Sequence, residues 1–475
     1  MIPFRMRSAP VILRVGIGVI ALTGIAFPQV KPKAPAPTKP ETITFVEITS
    51  KLSIAVPALA HAPEASDVRP IAAHDFSLDY AKQHLIPAMG GSIATGDADG
   101  DGRIALYAVV PGGANHLFRE IANGTFVDVT EKAGVAGSGG DLAAAFGDFD
   151  HSGRQSLFVA GLGGIRLYRN RGGGVFSDVT EKSGLQGKAG ELASSVLLFD
   201  ADGDGFLDVL ETVYTDLSAP PSKASFTFPN DFSGASSHLY RNQHDGTFRD
   251  VTEAAGLNSN PGRTRRAVAA DFNHNGRMDL LLLRDNKPPV LYRNQGLGKF
   301  EDETWDAGKE IWRYAYLDAQ IADLNHDGKP DLALWSTVGN EVLWNVGEGK
   351  FEDDEEVLPL VYAANRPFGF HGTVADLEGN GYSSLLTLDA RENWRLIVND
   401  HGHFAEAPID LVAEKHTAGS GTASSPAFAS LCAVRLSGTG RLQLLGLTMD
   451  GRVSVFEKQN AAAMKVESSG KKSSR

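Results

Sequence analysis

Oxygen-bearing side chains recur at a fixed spacing in nine-residue segments of the pattern D-x-D/N-x-D/N-G-x-x-D. The fullest copies carry them at positions 1, 3, 5 and 9: Asp200, Asp202, Asp204 and Asp208; Asp271, Asn273, Asn275 and Asp279; Asp323, Asn325, Asp327 and Asp331. Oxygen ligands at this spacing can wrap around a hard cation, and the glycine at position 6 permits the sharp turn that gathers them. Because histidine and cysteine are absent from the ligand positions, the pattern favours calcium over zinc or copper.

Six such segments, here called loops 1 to 6, begin at Asp97, Asp148, Asp200, Asp271, Asp323 and Asp376. Loop 1 has Asp97, Asp99 and Asp101 but Ala105 at position 9, and we predict calcium there as well as in loops 3 to 5. Loops 2 and 6 end in serine, so a metal-free turn fits them at least as well. A worn seventh copy at Arg435 has no carboxylate and is predicted to be metal-free.

For every loop, the alternative is an Asp/Asn/Gly turn that holds no ion. Four aligned oxygen side chains are more than a turn requires, and carboxylates this close repel one another unless a cation lies between them. The predicted cofactor is therefore calcium in a structural role, since each ion would stabilise one turn.

Two further signatures alternate with the loops and indicate a repeated unit. An aromatic, strand-like segment ends at or near asparagine, as in LYRN at Leu167, Leu239 and Leu291. A glycine-rich turn and an F-x-D-V-T segment follow it, as at Phe126 and Phe176. Each unit of about fifty residues contains four short strand-like runs separated by turn residues, which is typical of one propeller blade.

The two ends of the repeat array are complementary. FVEIT at Phe45 is a copy of the second signature that precedes loop 1, whereas the last unit ends after its Val455 strand without such a segment. The N-terminal strand can therefore complete the last blade, and we predict an all-β, seven-bladed β-propeller over residues 41–458 that this strand closes. A linear solenoid, the alternative, would need polar capping repeats. The strand that leads into a loop carries small residues, such as residues 143–145, and we therefore predict that it is the innermost strand of its blade.

The termini are predicted to lie outside the fold. An apolar run at residues 15–27 follows three arginines and resembles the core of a signal peptide, so residues 1–27 are predicted to be a signal peptide cleaved after Ala26, or else an uncleaved anchor. Residues 28–40 form a Pro/Lys-rich linker, and residues 459–475 a disordered tail. We expect a secreted, periplasmic or cell-surface protein that contacts a membrane only through an uncleaved N-terminal segment.

Composition excludes some functions. The 475 residues carry a formal net charge of -13, which argues against binding to nucleic acid. The one cysteine, Cys432, cannot form an internal disulfide or a multi-cysteine zinc site.

The recurring LYRN and F-x-D-V-T-E-K-A-G segments, with MGGS at Met89–Ser92, resemble the FG-GAP/VCBS repeat of integrin-alpha-like propellers. The resemblance is closer to the ASPIC/UnbV (cartilage-acidic-protein-like) branch, whose frequent C-terminal domain is not seen here. It implies a secreted, calcium-stabilised propeller used in recognition or adhesion. Functions assigned through the missing domain are not expected.

Cationic and aromatic residues stand where the chain approaches several inner strands, at the end opposite to the acidic loops. We predict that they converge on one mouth of the central channel and bind an anionic ligand: Arg263, Arg265, Arg266, Trp312, Arg313, Tyr314, Arg366 and His371. The alternative is that they pair with neighbouring acids such as Asp318.

The sequence contains no H-E-x-x-H, G-x-S-x-G or P-loop motif, and we expect no catalytic residues. The predicted function is a monomeric, non-enzymatic recognition or adhesion module for a partner protein or glycan. A polysaccharide lyase or hydrolase is one alternative, for which Asp318 and His371 are the visible acid/base candidates. A structural protein of the cell envelope is another.

Overall fold

The computed structural model describes residues 42–56, 70–121, 124–257, 261–308, 311, 313–353, 371–391, 393–414, 427–436 and 441–459. These residues belong to one compact unit, Glu41–Arg475. The predicted signal segment, linker and C-terminal tail lie outside the described residues, apart from Gln459. No helix within the described ranges is long and apolar enough to cross a membrane.

Seven sheets of four or five strands form the blades of a β-propeller, which confirms the predicted fold class. Strands β1 (Ile43–Glu47) and β2 (Ile71–Ala72) precede blade 1. Blade 1 contains β3 (Ile93–Gly96), β4 (Ala105–Ala108), β5 (His116–Glu120) and β6 (Phe126–Asp128). Blade 2 contains β7 (Asp141–Gly147), β8 (Ser156–Gly161), β9 (Gly164–Asn170) and β10 (Phe176–Asp178). Blade 3 contains β11 (Glu191–Phe199), β12 (Asp208–Asp216), β14 (His238–Asn242) and β15 (Phe248–Asp250), with β13 (Ser225–Phe226) in its insertion.

Blades 4 to 7 continue the same order. Blade 4 contains β16 (Thr264–Ala270), β17 (Asp279–Arg284), β18 (Val290–Gly296) and β19 (Lys299–Asp302). Blade 5 contains β20 (Asp318–Ala322), β21 (Asp331–Trp335), β22 (Glu341–Gly347) and β23 (Lys350–Asp353). Blade 6 contains β24 (Gly372–Ala375), β25 (Ser384–Leu388), β26 (Trp394–Asp400) and β27 (His403–Ala407). Blade 7 combines β28 (Ile409–Val412), β29 (Phe428–Arg435), β30 (Leu442–Thr448) and β31 (Val453–Lys458) with β1.

Short helices connect these strands. They are α1 (Leu78–Tyr80), α2 (Thr130–Ala133), α3 (Thr180–Ser183), α4 (Thr252–Ala255) and α5 (Thr304–Ala307), a π-helix at Ala81–Leu85, and 3-10 turns at Thr49–Leu52 and Pro87–Met89. The first strands of successive blades lie beside one another around the centre, as their small side chains predicted.

The F-x-D-V-T signature forms local hydrogen bonds that join the third and fourth strands of a blade. In blade 2, Thr180 donates its N–H (2.9 Å) and its hydroxyl (2.6 Å) to Asp178 Oδ1. The Thr180 hydroxyl oxygen in turn accepts the N–H of Leu167, the first residue of LYRN, at 3.0 Å. Equivalent bonds recur in blades 1, 3 and 4, so the two signatures are bonded to each other.

The N-terminal strand closes the ring as predicted. Strand β1 pairs antiparallel with β31, so that Phe45 lies opposite Lys458. A further strand that the sequence did not predict, β28, pairs with the other edge of β1 in parallel. The closing strand is therefore interior to a five-stranded sheet, and neither of its edges is left open.

The insertion in blade 3 packs against the segment that leads into blade 1. Strands β2 and β13 pair antiparallel, and Phe226, Phe228 and Phe232 share an apolar cluster with Leu142 and Tyr214. This cluster covers the side of blades 2 and 3 on which the inner strands begin.

Candidate functional site

The aspartate at position 1 organises each acidic loop. In loop 3, Asp200 accepts the backbone N–H groups of Gly203 (2.7 Å), Asp204 (3.2 Å) and Gly205 (2.9 Å). The position-1 aspartates of the other five loops accept the same kind of bonds. The turn is thus built by backbone hydrogen bonds to one carboxylate.

Position 9 has a role that its ligand-like spacing did not predict. Asp208 is buried, and its two oxygens accept the N–H groups of Asn242 (2.8 Å) and Ala201 (2.9 Å). In loop 2, the hydroxyl of Ser156 accepts the N–H of Asn170 at 3.1 Å. Aspartate or serine at position 9 therefore anchors the third strand of its own blade, and serine replaces aspartate there without loss of this bond.

Loop 3 has the clearest geometry for a cation. Asp200, Asp202 and Asp208 each offer an oxygen, and these atoms lie within 4.8 Å of one another; no other such group of acidic, histidine or cysteine side chains occurs among the described residues. Burial, aided by the negative charges of Asp202 and Asp204, raises the pKa of Asp208 to about 6. Burial and Asp204 also raise the pKa of Asp202. A divalent cation would offset this repulsion, so these residues fit the predicted calcium.

The carboxylates of loop 5 repel one another in the same way. Burial raises the pKa of Asp331 to about 6, with contributions from Asp327 and Asp323. Asn325 accepts the N–H of Asp327 through its side-chain oxygen at 3.0 Å. Lys329 pairs with Asp327 at the surface of the loop. Hard oxygen donors whose negative charge Lys329 offsets only in part fit a divalent cation here as well.

The arginine of the third strand supplies an internal counter-charge in the first three blades. It pairs with the position-3 carboxylate in Arg119–Asp99 (2.9 Å), Arg169–Asp150 (2.7 Å) and Arg241–Asp202 (2.6 Å). Burial tends to raise the pKa of Asp150, but hydrogen bonds from Ser152 and the charge of Arg169 outweigh it and hold that pKa below its usual value. In loop 1, Asp99 Oδ1 is buried and has no hydrogen-bond partner in the described part of the chain, so loop 1 retains an oxygen that a cation could use.

The histidines at position 4, between the ligand positions, are exposed. His151, His274 and His326 have φ angles of 52°, 57° and 58°, in the left-handed region that glycine occupies in other loops. The His151 ring stacks on Phe206 of loop 3 with a centroid separation of 3.9 Å. His326 stacks on Tyr382 of loop 6 at the same separation. These rings connect neighbouring loops and lie outside the oxygen set.

A central cavity of about 330 Å³ lies where the inner strands begin. Its lining includes three of the predicted ligand-binding residues, Arg265, Arg266 and His371, together with Asp318. A β-bulge between Thr264 and Arg266 interrupts the alternation of side chains. The bulge explains how two consecutive arginines both reach the cavity. Arg266 is also paired with Asp318 at 2.7 Å, which is the neighbouring acid that the alternative interpretation named.

The other predicted ligand-binding residues are placed elsewhere or lie outside the described ranges. Arg263 is buried, pairs with Asp285 at 2.6 Å and donates to the Pro229 carbonyl at 2.6 Å. Arg313 pairs with Glu341 (3.0 Å) and Asp353 (2.6 Å), and its neighbour Tyr314 contacts Tyr316. None of these three lines the cavity. Trp312 and Arg366 lie outside the described residues.

The FG-GAP-like repeat family matches the chain at residues 97–159, 152–211, 228–282, 271–334 and 323–387, which together cover more than half of it. The chain belongs to the FG-GAP-like repeat family. The matched segments of this FG-GAP propeller take in all six acidic loops, so the loops are part of its repeats rather than additions to them.

Among solved structures, this FG-GAP propeller is similar to a lectin of Agrocybe aegerita described as recognising non-reducing terminal N-acetylglucosamine. The two are 20% identical over 66% of this chain and 78% of that chain, with a TM-score of 0.44. It is also similar to BBS1N in complex with ARL6DN, soaked with mercury or with lead. Each is 10% identical over 79% of this chain and 95% of that chain, with TM-scores of 0.43 and 0.45. None of the curated proteins compared with the chain matches it.

Proposed function

We propose that this FG-GAP propeller is an exported, non-enzymatic recognition module that binds an acidic group of a glycan or partner protein in its central cavity. In this proposal the chain is a monomer of the ASPIC/UnbV branch, residues 1–27 direct export, and calcium in the acidic loops stabilises the ring. The observation that supports it most is that Arg265 and Arg266 share the cavity with His371 in a protein of net charge -13. A local cationic site on an acidic protein favours an anionic ligand.

The chemistry of the cavity suits a carboxylate or sulfate group. A guanidinium presents a planar set of N–H donors that binds such oxyanions in a bidentate manner. The side chain of Arg266 is 47% exposed, so its guanidinium can exchange its bond with Asp318 for one with a ligand. Ser194, Ser195 and Gln320 add hydroxyl and amide groups to the lining.

The test is binding to arrays of acidic oligosaccharides and of extracellular proteins. We expect Arg265→Ala combined with Arg266→Ala to weaken binding at least about tenfold, because charge-assisted hydrogen bonds of about 1.5–3 kcal/mol are lost. Arg452→Ala is the matched control, since Arg452 also pairs with an aspartate, has a side-chain exposure of 45% and does not line the cavity. Equal binding by both variants would contradict the proposal.

A carbohydrate-active enzyme is the second candidate, because Asp318 and His371 line the same cavity. Asp318 Oδ1 accepts bonds from Arg266 (2.7 Å) and from the Ala319 N–H (2.9 Å), and His371 is buried. Incubation with uronic-acid polymers tests this role. Turnover that is lost in Asp318→Asn would favour the enzyme, and binding without turnover would favour the recognition module.

A further inference from the structure

Loops 4 and 5 have closely similar sequences but different surroundings. They read DFNHNGRMD and DLNHDGKPD, with aspartate at positions 1 and 9 and asparagine at position 3 in both. The residue before the signature asparagine of the third strand differs: it is Arg293 in blade 4 and Trp344 in blade 5. The two blades therefore form a natural comparison of one loop with and without an adjacent guanidinium.

In blade 4, the arginine engages the position-9 carboxylate directly. Arg293 is only 4% exposed, and its Nη1 donates to Asp279 Oδ2 at 2.7 Å. The other oxygen of Asp279 accepts the N–H of Asn294 at 2.9 Å. Arg293 also donates to the Gly349 carbonyl in the hairpin of blade 5 and lies 3.5 Å from Glu303. The guanidinium is thus held in place on both sides.

Of the remaining oxygen donors of loop 4, only Asp271 carries a charge, because Asn273 and Asn275 are neutral amides. Asp271 already accepts the N–H groups of Asn275 (2.9 Å) and Gly276 (2.7 Å), and Asn275 Oδ1 accepts that of Arg277 (2.9 Å). Asn273 Oδ1 is buried and has no hydrogen-bond partner within the described ranges, but as a neutral amide oxygen it adds no charge that would hold a cation. A second cation close to the buried guanidinium would be repelled.

In blade 5, Asp331 accepts only the backbone N–H groups of Asn345 and Leu324, both at 2.9 Å. Within the described ranges, no cationic side chain forms an ion pair with Asp331, and Trp344 packs towards Phe404 with a centroid distance of 6.0 Å. Lys329 pairs with Asp327, but its side chain is 27% exposed on a flexible stem and can turn to solvent. The negative charge of loop 5 is therefore available to a soluble cation.

We propose that Arg293 is an internal cation that replaces the metal ion in loop 4, whereas loop 5, with Trp344 at the same position, binds a divalent cation. The sequence predicted calcium binding by Asp271, Asn273, Asn275 and Asp279. These residues do not fit an ion, because a buried guanidinium already neutralises Asp279. The inference rests on the proposed calcium binding by the loops, and it is independent of what the central cavity binds.

Calcium stoichiometry of the full-length protein, measured by native mass spectrometry at saturating calcium chloride, tests the difference between the two loops. We expect Asp323→Asn to lower the number of bound ions by one and Asp271→Asn to leave it unchanged. Asp306→Asn, at an exposed acid outside the loops, controls for the loss of a negative charge. A loss of one ion in Asp271→Asn, or no loss in Asp323→Asn, would overturn the inference.

A second variant tests Arg293 itself. Arg293→Trp combined with Asn275→Asp gives blade 4 the residues of blade 5 at these two positions, and we expect this protein to bind one additional ion. A folded double variant with the wild-type stoichiometry would show that Arg293 is not what excludes the ion. The comparison of Asp271→Asn with Asp323→Asn does not depend on the double variant, so it decides whether loop 4 lacks an ion and loop 5 binds one even where the double variant does not fold. Ligand binding in the cavity is a separate measurement, so failure of the proposed recognition function would be recognised separately.

Discussion

The side-chain amide of Asn242, in the third strand of blade 3, donates a hydrogen bond of 2.8 Å to the carbonyl oxygen of Phe149, in loop 2 of the preceding blade. The same amide nitrogen bonds the Leu207 carbonyl of its own loop at 3.0 Å. One buried side chain thus connects two adjacent acidic loops. This is a physical reason for the asparagine of the LYRN signature.

The contact recurs around most of the ring. It is made by the signature asparagines in Asn170–Ala98, Asn294–Ala201, Asn345–Phe272 and Asn399–Leu324, each at 2.8 Å. In blade 7, Lys458 stands at the equivalent position, and its Nζ bonds the Leu377 carbonyl at 2.9 Å. Each loop from 1 to 6 is therefore tied to the next blade, whether or not the loop holds an ion.

Asn242→Ala is expected to destabilise the propeller by about 1–3 kcal/mol, because one buried and one partly buried carbonyl group lose their donor. The measurement is the midpoint of urea unfolding. Gln243→Ala, at the exposed neighbouring position, is the control and should shift the midpoint little. Equal midpoints for the two variants would show that the contact between blades does not contribute to stability.

Removal of calcium is expected to lower the melting temperature. An ion that binds only the folded chain stabilises it by about 2.7 kcal/mol at a concentration one hundred times its Kd. Thermal unfolding is recorded in the presence of calcium and after chelation, and residual metal is determined by elemental analysis. Asp202→Asn should reduce the difference between the two scans, because Asp202 belongs to the clustered oxygens of loop 3. An unchanged melting temperature after verified removal would argue against structural ions.

Stability is expected to fall as the pH rises from about 5 to about 8, because of Glu211. This side chain is fully buried; its Oε1 has no hydrogen-bond partner among the described residues, and Tyr240 donates to Oε2 at 3.2 Å. Burial, with the charges of Glu191 and Asp250, raises its pKa from 4.5 to about 7. A raised pKa means that the protonated form suits the folded state, so this stabilisation is complete below pH 4.5 and is lost as the pH passes through about 7.

Glu211→Gln should flatten this decline, by up to about 3 kcal/mol at pH 8, since one pKa unit corresponds to about 1.36 kcal/mol. Some decline should remain because of His238, whose pKa is raised by a hydrogen bond to Glu191. Its protonated form also stabilises the folded state, and this stabilisation is likewise lost as the pH rises. Urea midpoints measured across this pH range, with Glu253→Gln as an exposed control, provide the check. A decline identical to that of the wild type would exclude Glu211 as its source.

Phe45→Ala is expected to destabilise the pairing of β1 with blade 7 that closes the ring. Phe45 is fully buried in β1, in an apolar cluster with Phe428 and Phe456 of blade 7, and truncation of a core phenylalanine costs about 3–5 kcal/mol. Hydrogen exchange should increase first in β1 and β31. Ile43→Ala, at a partly buried position of the same strand, should have a smaller effect. Increased exchange spread evenly over all blades would mean that the closure is not the weak point.

Repetition made much of this architecture predictable. The seven repeats, the strand order and the closure by Phe45 all follow from patterns that recur along the chain, because each blade is built by the same local bonds, such as those of Asp178 with Thr180. Strand β28 and the sheet formed by β2 and β13 have no repeated signature, and they depend on contacts between distant segments that no local pattern encodes.

The sequence by itself determined the loops and their oxygen donors, because a turn organised by one aspartate requires only its own neighbouring backbone N–H groups. Only the tertiary structure decided how those donors are used. Asp279 and Asp331 occupy the same position of similar loops, yet a buried arginine neutralises the first and only backbone donors contact the second. Likewise, Arg263 lies in a buried ion pair while Arg265 reaches the cavity, because a β-bulge resets the direction of side chains within two residues. Burial and charge neutralisation depend on what the fold brings alongside a residue, and spacing along the chain does not contain that information.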